Sequence, residues 1–406
     1  MTIDSFLLSL LLLIFLARFI GLLLSKVGIQ SLVGEVIGGV VLSPLLLGVI
    51  VPNETLKIFS QFGIIILMLL SGLLTDFHAF LENKITSILV GMLGVAMSMA
   101  LIFTSLYALG YTWITSLFIS VVLSNTAVEV CARVLMRKQL SKKTHAIIMG
   151  ASFVDDIIAV FLIGMVGSIA LGENLTTSYL IIISSKLVLF ITLSLILVPY
   201  LMERYRVIDH LIGTGPQREK LLLTFTFLFA ILFAIVAQYS GLQSIIGAYI
   251  AGLIIGQWGS KVGPLLRRRV AYEDLVDDIE PMSHAVFTPL FFGYVGLQLG
   301  SILSKFSMGL KGLIVVIVVT IMAILGKFIG CGLGAKLRGV SGGESAFIGL
   351  AMGGRGALEL VLLSIAYEKN IIDGEMFAAV IIVTLLTVVL SPVLLTTYER
   401  HVRAYP

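Results

Sequence analysis

Long apolar stretches follow one another along almost the whole chain, separated by short segments that carry most of the charged residues. A helix needs roughly 20 apolar residues to cross a hydrocarbon core about 30 Å thick. The pattern therefore predicts an all-α integral membrane protein. The thirteen predicted spans are residues 5–24, 32–50, 57–75, 85–109, 113–136, 144–171, 177–201, 218–240, 242–256, 283–299, 306–335, 342–368 and 374–398.

The composition supports this interpretation. Hydrophobic residues make up 58% of the 406 positions and charged residues 12%, whereas soluble domains carry roughly 25% charge. The two cysteines, Cys131 and Cys331, both fall inside apolar stretches, so no disulfide framework is expected. Because zinc-protease and nucleotide-binding signatures are missing from the sequence, it does not indicate an enzyme or an ATP-driven pump.

The distribution of basic residues predicts the orientation in the membrane. Lysine and arginine collect in cytoplasmic loops, and an odd number of spans places most of the basic loops on the side of the carboxyl terminus. The other side holds Lys57, Lys305, Lys311 and Lys369. We therefore expect an outside amino terminus, a cytoplasmic carboxyl terminus and a plasma (inner) membrane location. The basic loops are interpreted as topology signals. The lipid bilayer is the expected surrounding of the spans, and no nucleic-acid partner is expected.

Two spans contain polar interruptions. The fifth carries SNTAVEVCAR around Asn125 and Thr126, and the twelfth carries MGGRGALEL around residues 353–356. Seven spans apart, these helices run in opposite directions, as inverted repeats require. We predict a first repeat of six spans in residues 1–176, a connecting span in 177–217 and a second repeat in 218–406. Paired interrupted helices indicate a transporter site, although glycine kinks for close packing are an alternative.

Charged residues inside the spans need a partner or a function, because each costs at least roughly 2.5 to 3.5 kcal/mol near the bilayer centre. Residues four apart on a helix share a face. Glu129 is therefore expected to reach Arg133, and Arg355 to reach Glu359, as supporting charges within the two broken helices.

Asp155, Asp156 and Lys327 remain after these pairs. One lysine neutralises one aspartate, and adjacent helical residues point about 100° apart, so one carboxylate is left to bind something from water. A carboxylate facing an aqueous cavity holds either a proton or a monovalent cation. Competition between the two predicts cation/proton exchange, with no cofactor beyond the transported cation and H⁺. Helix capping by the two aspartates is the structural alternative.

Several motifs resemble the monovalent cation/proton antiporter superfamily, and in particular its second family. VGEVIGGVVLSPLLLG resembles the second span of the family, with Ser43 where glycine is usual, and LQSIIGAYIAGLIIG with PLFFGYVGLQL resembles the ninth and tenth. The more specific combination is VDD in the sixth span, GKFIG in the eleventh and the two breaks.

The resemblance implies the roles of the site residues. Asp156 is the principal cation and proton carboxylate, Asp155 pairs with Lys327, and Thr126 and Asn125 line the crossing of the broken helices. It also implies a core domain that moves against a dimerisation domain, elevator-type alternating access and a homodimer. Two adjacent aspartates are typical of electrogenic Na⁺(Li⁺)/H⁺ antiporters.

The alternatives are a K⁺/H⁺ antiporter of the same fold, which the MGGRGALELVLL segment favours, and a sodium-coupled organic-anion symporter. A channel would conduct without proton coupling. A structural membrane protein leaves the buried charges unexplained.

Overall fold

A computed structural model describes residues 3–27, 29–74, 83–126, 142–170, 218–240, 244–260, 266–305 and 309–404, and a few positions between 185 and 200. The regular structure of these residues is helical, which confirms the predicted fold class. The helices are α1 (Ile3–Lys26), α2 (Ser31–Leu42), α3 (Glu54–Leu74), α4 (Lys84–Ala108), α5 (Trp113–Val122), α6 (Lys142–Ala170), α7 (Arg218–Tyr239), α8 (Ser244–Ser260), α9 (Leu266–Met282), α10 (Thr288–Leu303), α11 (Leu310–Leu337), α12 (Gly342–Ala351), α13 (Ala357–Glu368) and α14 (Gly374–Ala404).

Seven of the described helical stretches are long and apolar enough to cross a membrane. Other predicted spans are represented by shorter helices, among them α2, α5, α12 and α13. Most of the predicted seventh span, residues 177–201, lies outside the described residues.

The second predicted span, 32–50, is wrong in its carboxyl-terminal half, because α2 ends at Leu42. Pro44 disfavours the helical conformation of the preceding residue, and Ser43 is extended, with φ −70° and ψ 168°. The Ser43 hydroxyl donates to the carbonyl of Val40 at 2.6 Å, and its oxygen accepts from the amide of Leu45 at 3.2 Å. These bonds stabilise a turn in place of another helical turn.

The tenth predicted span, 283–299, is too short. Helix α9, which we expected to be a loop, continues through a π-helical turn at Ser283–Phe287 into α10. Ala271, Leu275 and Ile279 recur every four residues and are buried, whereas the acidic residues between them face outward. Spacing of four produces an apolar face even in a segment of low mean hydropathy, which is why the hydropathy pattern alone missed the helix.

The contacts divide the chain into two compact units, each drawn from several separate segments. Unit 1 comprises residues 1–18, 52–76 and 175–294, and unit 2 comprises residues 19–51, 77–174 and 295–406. Each unit draws on both predicted repeats. The division into repeats at 176 and 218 therefore stays a separate prediction.

Helices α3 and α8 pack backbone to backbone within unit 1. A Cβ atom added to Gly72 would overlap the Tyr249 carbonyl oxygen, and one added to Gly252 would overlap the Leu69 carbonyl oxygen. Glycine at both positions is therefore required for this approach.

Unit 2 contains a backbone pattern that recurs after 229 positions. Gly110 and Gly339 both have positive φ, 84° and 75°, and each follows a long helix, α4 or α11. Each is followed by a ten-residue helix, α5 or α12, whose N-cap hydroxyl, from Thr112 or Ser341, accepts from an amide three residues later. The segments around α5 and α12 therefore have the same local architecture.

Candidate ion-binding site

Helix α5 ends inside the apolar part of unit 2. Its last residue is Val122, and Ser124, Asn125 and Thr126 follow in non-helical conformation, each at most 1% exposed. The Ser124 hydroxyl donates to the carbonyl of Val121 at 2.8 Å. Short polar side chains compete in this way with helical backbone bonds, so this sequence supports a break.

The second break separates α12 from α13 and confirms the predicted interruption of the twelfth span. Residues 352–356 connect the two helices, and α13 begins at Ala357. The Glu359 carboxylate accepts from the amide of Gly356 through Oε2 at 2.7 Å. Glu359 therefore caps the start of α13 with negative charge, which the helix dipole favours.

The two breaks meet at one buried carboxylate, Asp155 of α6. Lys327 of α11 forms an ion pair with Asp155 Oδ2, and both side chains are 0% exposed. The Thr126 hydroxyl donates to the same Oδ2 at 2.7 Å and also lies 3.0 Å from the carbonyl oxygen of Met352. The segment after α5 and helix α11 therefore meet at one oxygen atom of α6, and the second break contacts this group through Thr126.

The other oxygen of this carboxylate, Oδ1, is buried and accepts no hydrogen bond from the part of the chain that the structure describes. An ionised carboxylate offers about four acceptor positions. Asp155 therefore keeps acceptor capacity for a proton or a cation after its bonds to Lys327 and Thr126.

Small residues on α4 allow α11 and α6 to approach it closely near Lys327 and Asp155. A Cβ atom on Gly94 would overlap Cys331 Sγ and would lie 3.5 Å from both Cδ and Nζ of Lys327. A Cβ atom on Gly91 would lie 2.9 to 3.0 Å from Val154 on α6. Glycine at 94 leaves the space through which the lysine side chain extends.

Arg355 is fully buried inside the second break. Its Nη1 donates to the carbonyl of Gly353 at 3.1 Å and its Nη2 to the carbonyl of Ala323 on α11 at 2.9 Å. The guanidinium thus satisfies a carbonyl that the break removes from helical bonding. Arg355 and Glu359 interact electrostatically. The prediction that Arg355 and Glu359 lie on the same face of one helix was nevertheless wrong. Helix α13 begins only after Arg355, so Arg355 is not part of it.

The structure thus brings together Asp155, Lys327 and Thr126, with Asn125 buried in the same break. Asp156 follows on α6, but its side chain lies outside the described residues, as do Glu129 and Arg133.

Sequence reasoning missed the backbone contributions to this site. The carbonyl of Ala323 accepts from Arg355, and the carbonyl of Met352 lies within hydrogen-bond distance of the Thr126 hydroxyl. No residue type predicts a backbone acceptor. The role of Gly94 was also missed. The spacing of four between Gly326, Gly330 and Gly334 was the available signal, since it predicts a close helix contact along α11.

A comparison with protein families shows to which family the chain belongs. The model of the family described as "Sodium/hydrogen exchanger, transmembrane" matches residues 11–398. The chain belongs to the sodium/hydrogen exchanger family. As a member it is a multi-pass membrane transporter of cations and not an enzyme.

Individual members of the exchanger family match over nearly the full chain. A Na⁺/H⁺ antiporter of Enterococcus hirae is 27% identical over 408 residues, covering 97% of this chain and 98% of that protein. The Na⁺/H⁺-K⁺ antiporter GerN of Bacillus cereus is 27% identical over 377 residues, covering 91% and 90%.

Among solved structures, the sodium proton antiporter MjNhaP1 of Methanocaldococcus jannaschii matches with a TM-score of 0.76 at 16% identity. It covers 98% of this chain and 97% of that chain. At this identity the likeness shows that the two exchangers share a fold.

Proposed function

We propose that the chain is a secondary antiporter that exchanges Na⁺, and also Li⁺, for H⁺. The observation that carries the proposal is the Asp155 carboxylate, buried at the meeting point of two helix breaks and bonded by Lys327 and Thr126. A buried charge in a membrane helix marks an ion pathway more often than it stabilises the fold. The family membership and the printed names of the relatives support the same function.

In this mechanism Asp156 is the principal carrier. One lysine neutralises one aspartate, and Lys327 already pairs with Asp155, so the adjacent carboxylate competes for a proton or a cation. Asn125 and Thr126 line the path, and the carbonyl groups of the breaks supply further oxygen ligands of the kind that Na⁺ accepts. Because proton and cation exclude each other, each transport direction carries only one of them.

Two aspartates adjacent in the sequence, together with one buried lysine, favour electrogenic exchange of two protons per cation. Each net charge that crosses the membrane releases about 2.3 kcal/mol per 100 mV. An imposed membrane potential should therefore change the rate of exchange in vesicles, and a rate indifferent to potential would contradict this stoichiometry.

Alternating access is proposed to follow an elevator mechanism, with unit 2 as the moving core because it contains the site. The backbone pattern that recurs after 229 positions supports inverted repeats of spans 1–6 and 8–13. A homodimer in the plasma membrane, with the amino terminus outside, completes the proposal.

A K⁺/H⁺ antiporter is the second candidate. One relative, GerN of Bacillus cereus, is named a Na⁺/H⁺-K⁺ antiporter, so the same fold accommodates a larger cation. The two candidates differ in which cation, Na⁺ or K⁺, is exchanged for H⁺.

The test is the collapse of a pH gradient in proteoliposomes, reported by a dye after addition of Na⁺, Li⁺ or K⁺. Wild type is compared with Asp156→Asn and with Asp277→Asn, which changes an exposed carboxylate on α9. Na⁺ and Li⁺ should dissipate the gradient in wild type and in the control, but not in Asp156→Asn. A response to K⁺ alone supports the second candidate, and no response to any cation would reject antiport.

A further inference from the structure

The Ser98 hydroxyl on α4 is buried against Gly326, the residue that precedes Lys327 on α11. Ser98 is 0% exposed, and its Oγ has no hydrogen-bond partner among the described residues. Thr104 and Ser105 on the same helix donate to carbonyl groups in the preceding turn, at 2.7 and 2.6 Å. Serine inside a helix commonly satisfies itself in this way. Ser98 therefore departs from its neighbours at a cost to stability, since a buried unsatisfied hydroxyl is unfavourable.

The position of Ser98 connects it to Lys327. A Cβ atom on Gly326, the residue before Lys327, would lie 2.5 Å from Ser98 Cα and 2.9 Å from Ser98 Oγ. The Lys327 ammonium lies beside Gly94, one helical turn before Ser98 and about 6 Å away along the axis. Both positions are on the face of α4 that contacts α11.

Lys327 needs a second acceptor during transport. A lysine ammonium carries three donors and no acceptor, and Asp155 Oδ2 is the acceptor in this state. The proposed exchange of two protons per cation requires Asp155 to take part as well as Asp156. Once a proton or a cation occupies Asp155, the buried ammonium loses its negative partner. The Met352 carbonyl oxygen lies 3.0 Å from the Thr126 hydroxyl, whereas Ser98 Oγ has no hydrogen-bond partner among the described residues.

We propose that Ser98 is a positioning residue that accepts a hydrogen bond from Lys327 when the cargo occupies the aspartate site. Its hydroxyl has no hydrogen-bond partner among the described residues and gains one when the aspartate site binds its cargo. The inference rests on the proposed antiport function and adds a residue on which cation affinity depends. It also predicts two opposite effects of removing the hydroxyl. The protein without added Na⁺ should be at least as stable as wild type, whereas its apparent affinity for Na⁺ should fall.

The experiment compares Ser98→Ala with Ser87→Ala. Ser87 is a matched control, since it lies on the same helix, is 0% exposed and has an Oγ without a hydrogen-bond partner among the described residues. It precedes Ser98 by eleven residues, about 16 Å along the helix axis. Apparent KM and maximal rate for Na⁺ are measured in proteoliposomes, and thermal unfolding is measured in detergent without added Na⁺.

Both alanine variants should unfold at or above the wild-type temperature. Ser98→Ala should raise the apparent KM for Na⁺ about tenfold, while its maximal rate stays within about twofold of wild type. Ser87→Ala should leave both kinetic parameters unchanged.

An unchanged KM in Ser98→Ala, with active wild type, would overturn the inference and leave the antiport function standing. An equal rise of KM in both variants would show that any change in the packing of α4 affects KM. That outcome would also overturn the inference. If wild type itself exchanges no cation, the proposed function fails first, and the inference falls with it.

Discussion

Lys327→Met removes the positive partner of Asp155 while keeping most of the side-chain volume. Both members of the pair are fully buried, so solvent does not screen the loss. Removing one partner of a buried ion pair typically costs about 3 to 5 kcal/mol, because the other charge is left uncompensated. For a chain of 406 residues that unfolds as one unit, this corresponds to a fall in melting temperature of about 4 to 6 °C.

The double variant Lys327→Met/Asp155→Asn separates pairing from packing. It replaces the charged pair by neutral groups, so most of the loss should be recovered, as is common when both ions are removed together. The coupling energy from the double-mutant cycle should therefore be large. Lys336→Met is the control, since Lys336 is exposed on the same helix.

Thermal unfolding in detergent, followed by fluorescence, is measured for wild type, Lys327→Met, Asp155→Asn, the double variant and Lys336→Met. If Lys327→Met melts with wild type, or if the double variant loses the sum of the single losses, the ion pair does not stabilise the fold as argued. A comparable loss in Lys336→Met would indicate a general effect on α11.

Three further predictions follow from individual contacts. Gly94→Ala should lower stability by about 1 to 3 kcal/mol through overpacking, and Cys331→Ala in the same chain should restore much of it because Sγ is the overlapping atom; thermal unfolding of the single and double variants decides this. Thr126→Ala should reduce exchange and cost about 1.5 to 3 kcal/mol for a hydrogen bond to a charged group, whereas Thr126→Ser keeps the hydroxyl and should stay close to wild type. Burial, assisted by the Glu375 and Asp373 carboxylates, raises the pKa of Tyr111 above its ordinary value. The stability that this neutral phenol contributes is therefore present below the ordinary pKa of about 10 and is lost as pH rises through the folded value; Tyr111→Phe should lose less stability than wild type over that alkaline range.

Hydropathy and the positions of polar breaks were sufficient to predict most of the helices. They were insufficient where local interactions, and not the length of an apolar run, determine where a helix begins or ends. Pro44 and the Ser43 hydroxyl end α2 inside an apolar run, and the stripe of Ala271, Leu275 and Ile279 forms a helix within a charged segment. Both differences arise from single side chains whose effect disappears in a hydropathy average.

The charged residues of the candidate site could be predicted, because charges inside apolar spans are conspicuous in the sequence. Counting carboxylates against one lysine led to Asp155, Asp156 and Lys327, because a charge inside a span needs compensation. The choice of Asp155 as the partner of Lys327 came from the family resemblance. The count could not predict that Thr126 and the Met352 carbonyl join them. Nor could it predict that Arg355 bonds to backbone carbonyls, since the position of a backbone acceptor depends on where a helix unwinds.

The bonds of Arg355 bear on how the second break behaves during a transport cycle. Carbonyl groups left without donors in a membrane favour rewinding into a continuous helix, because each unsatisfied group costs several kcal/mol. Here the guanidinium of Arg355 satisfies Gly353 and at the same time joins the break to α11 through Ala323. Rewinding would give up a charged hydrogen bond to gain a neutral one, so the unwound segment is expected to be a permanent part of the protein. The cation would then meet the same preformed oxygen ligands on both sides of the membrane.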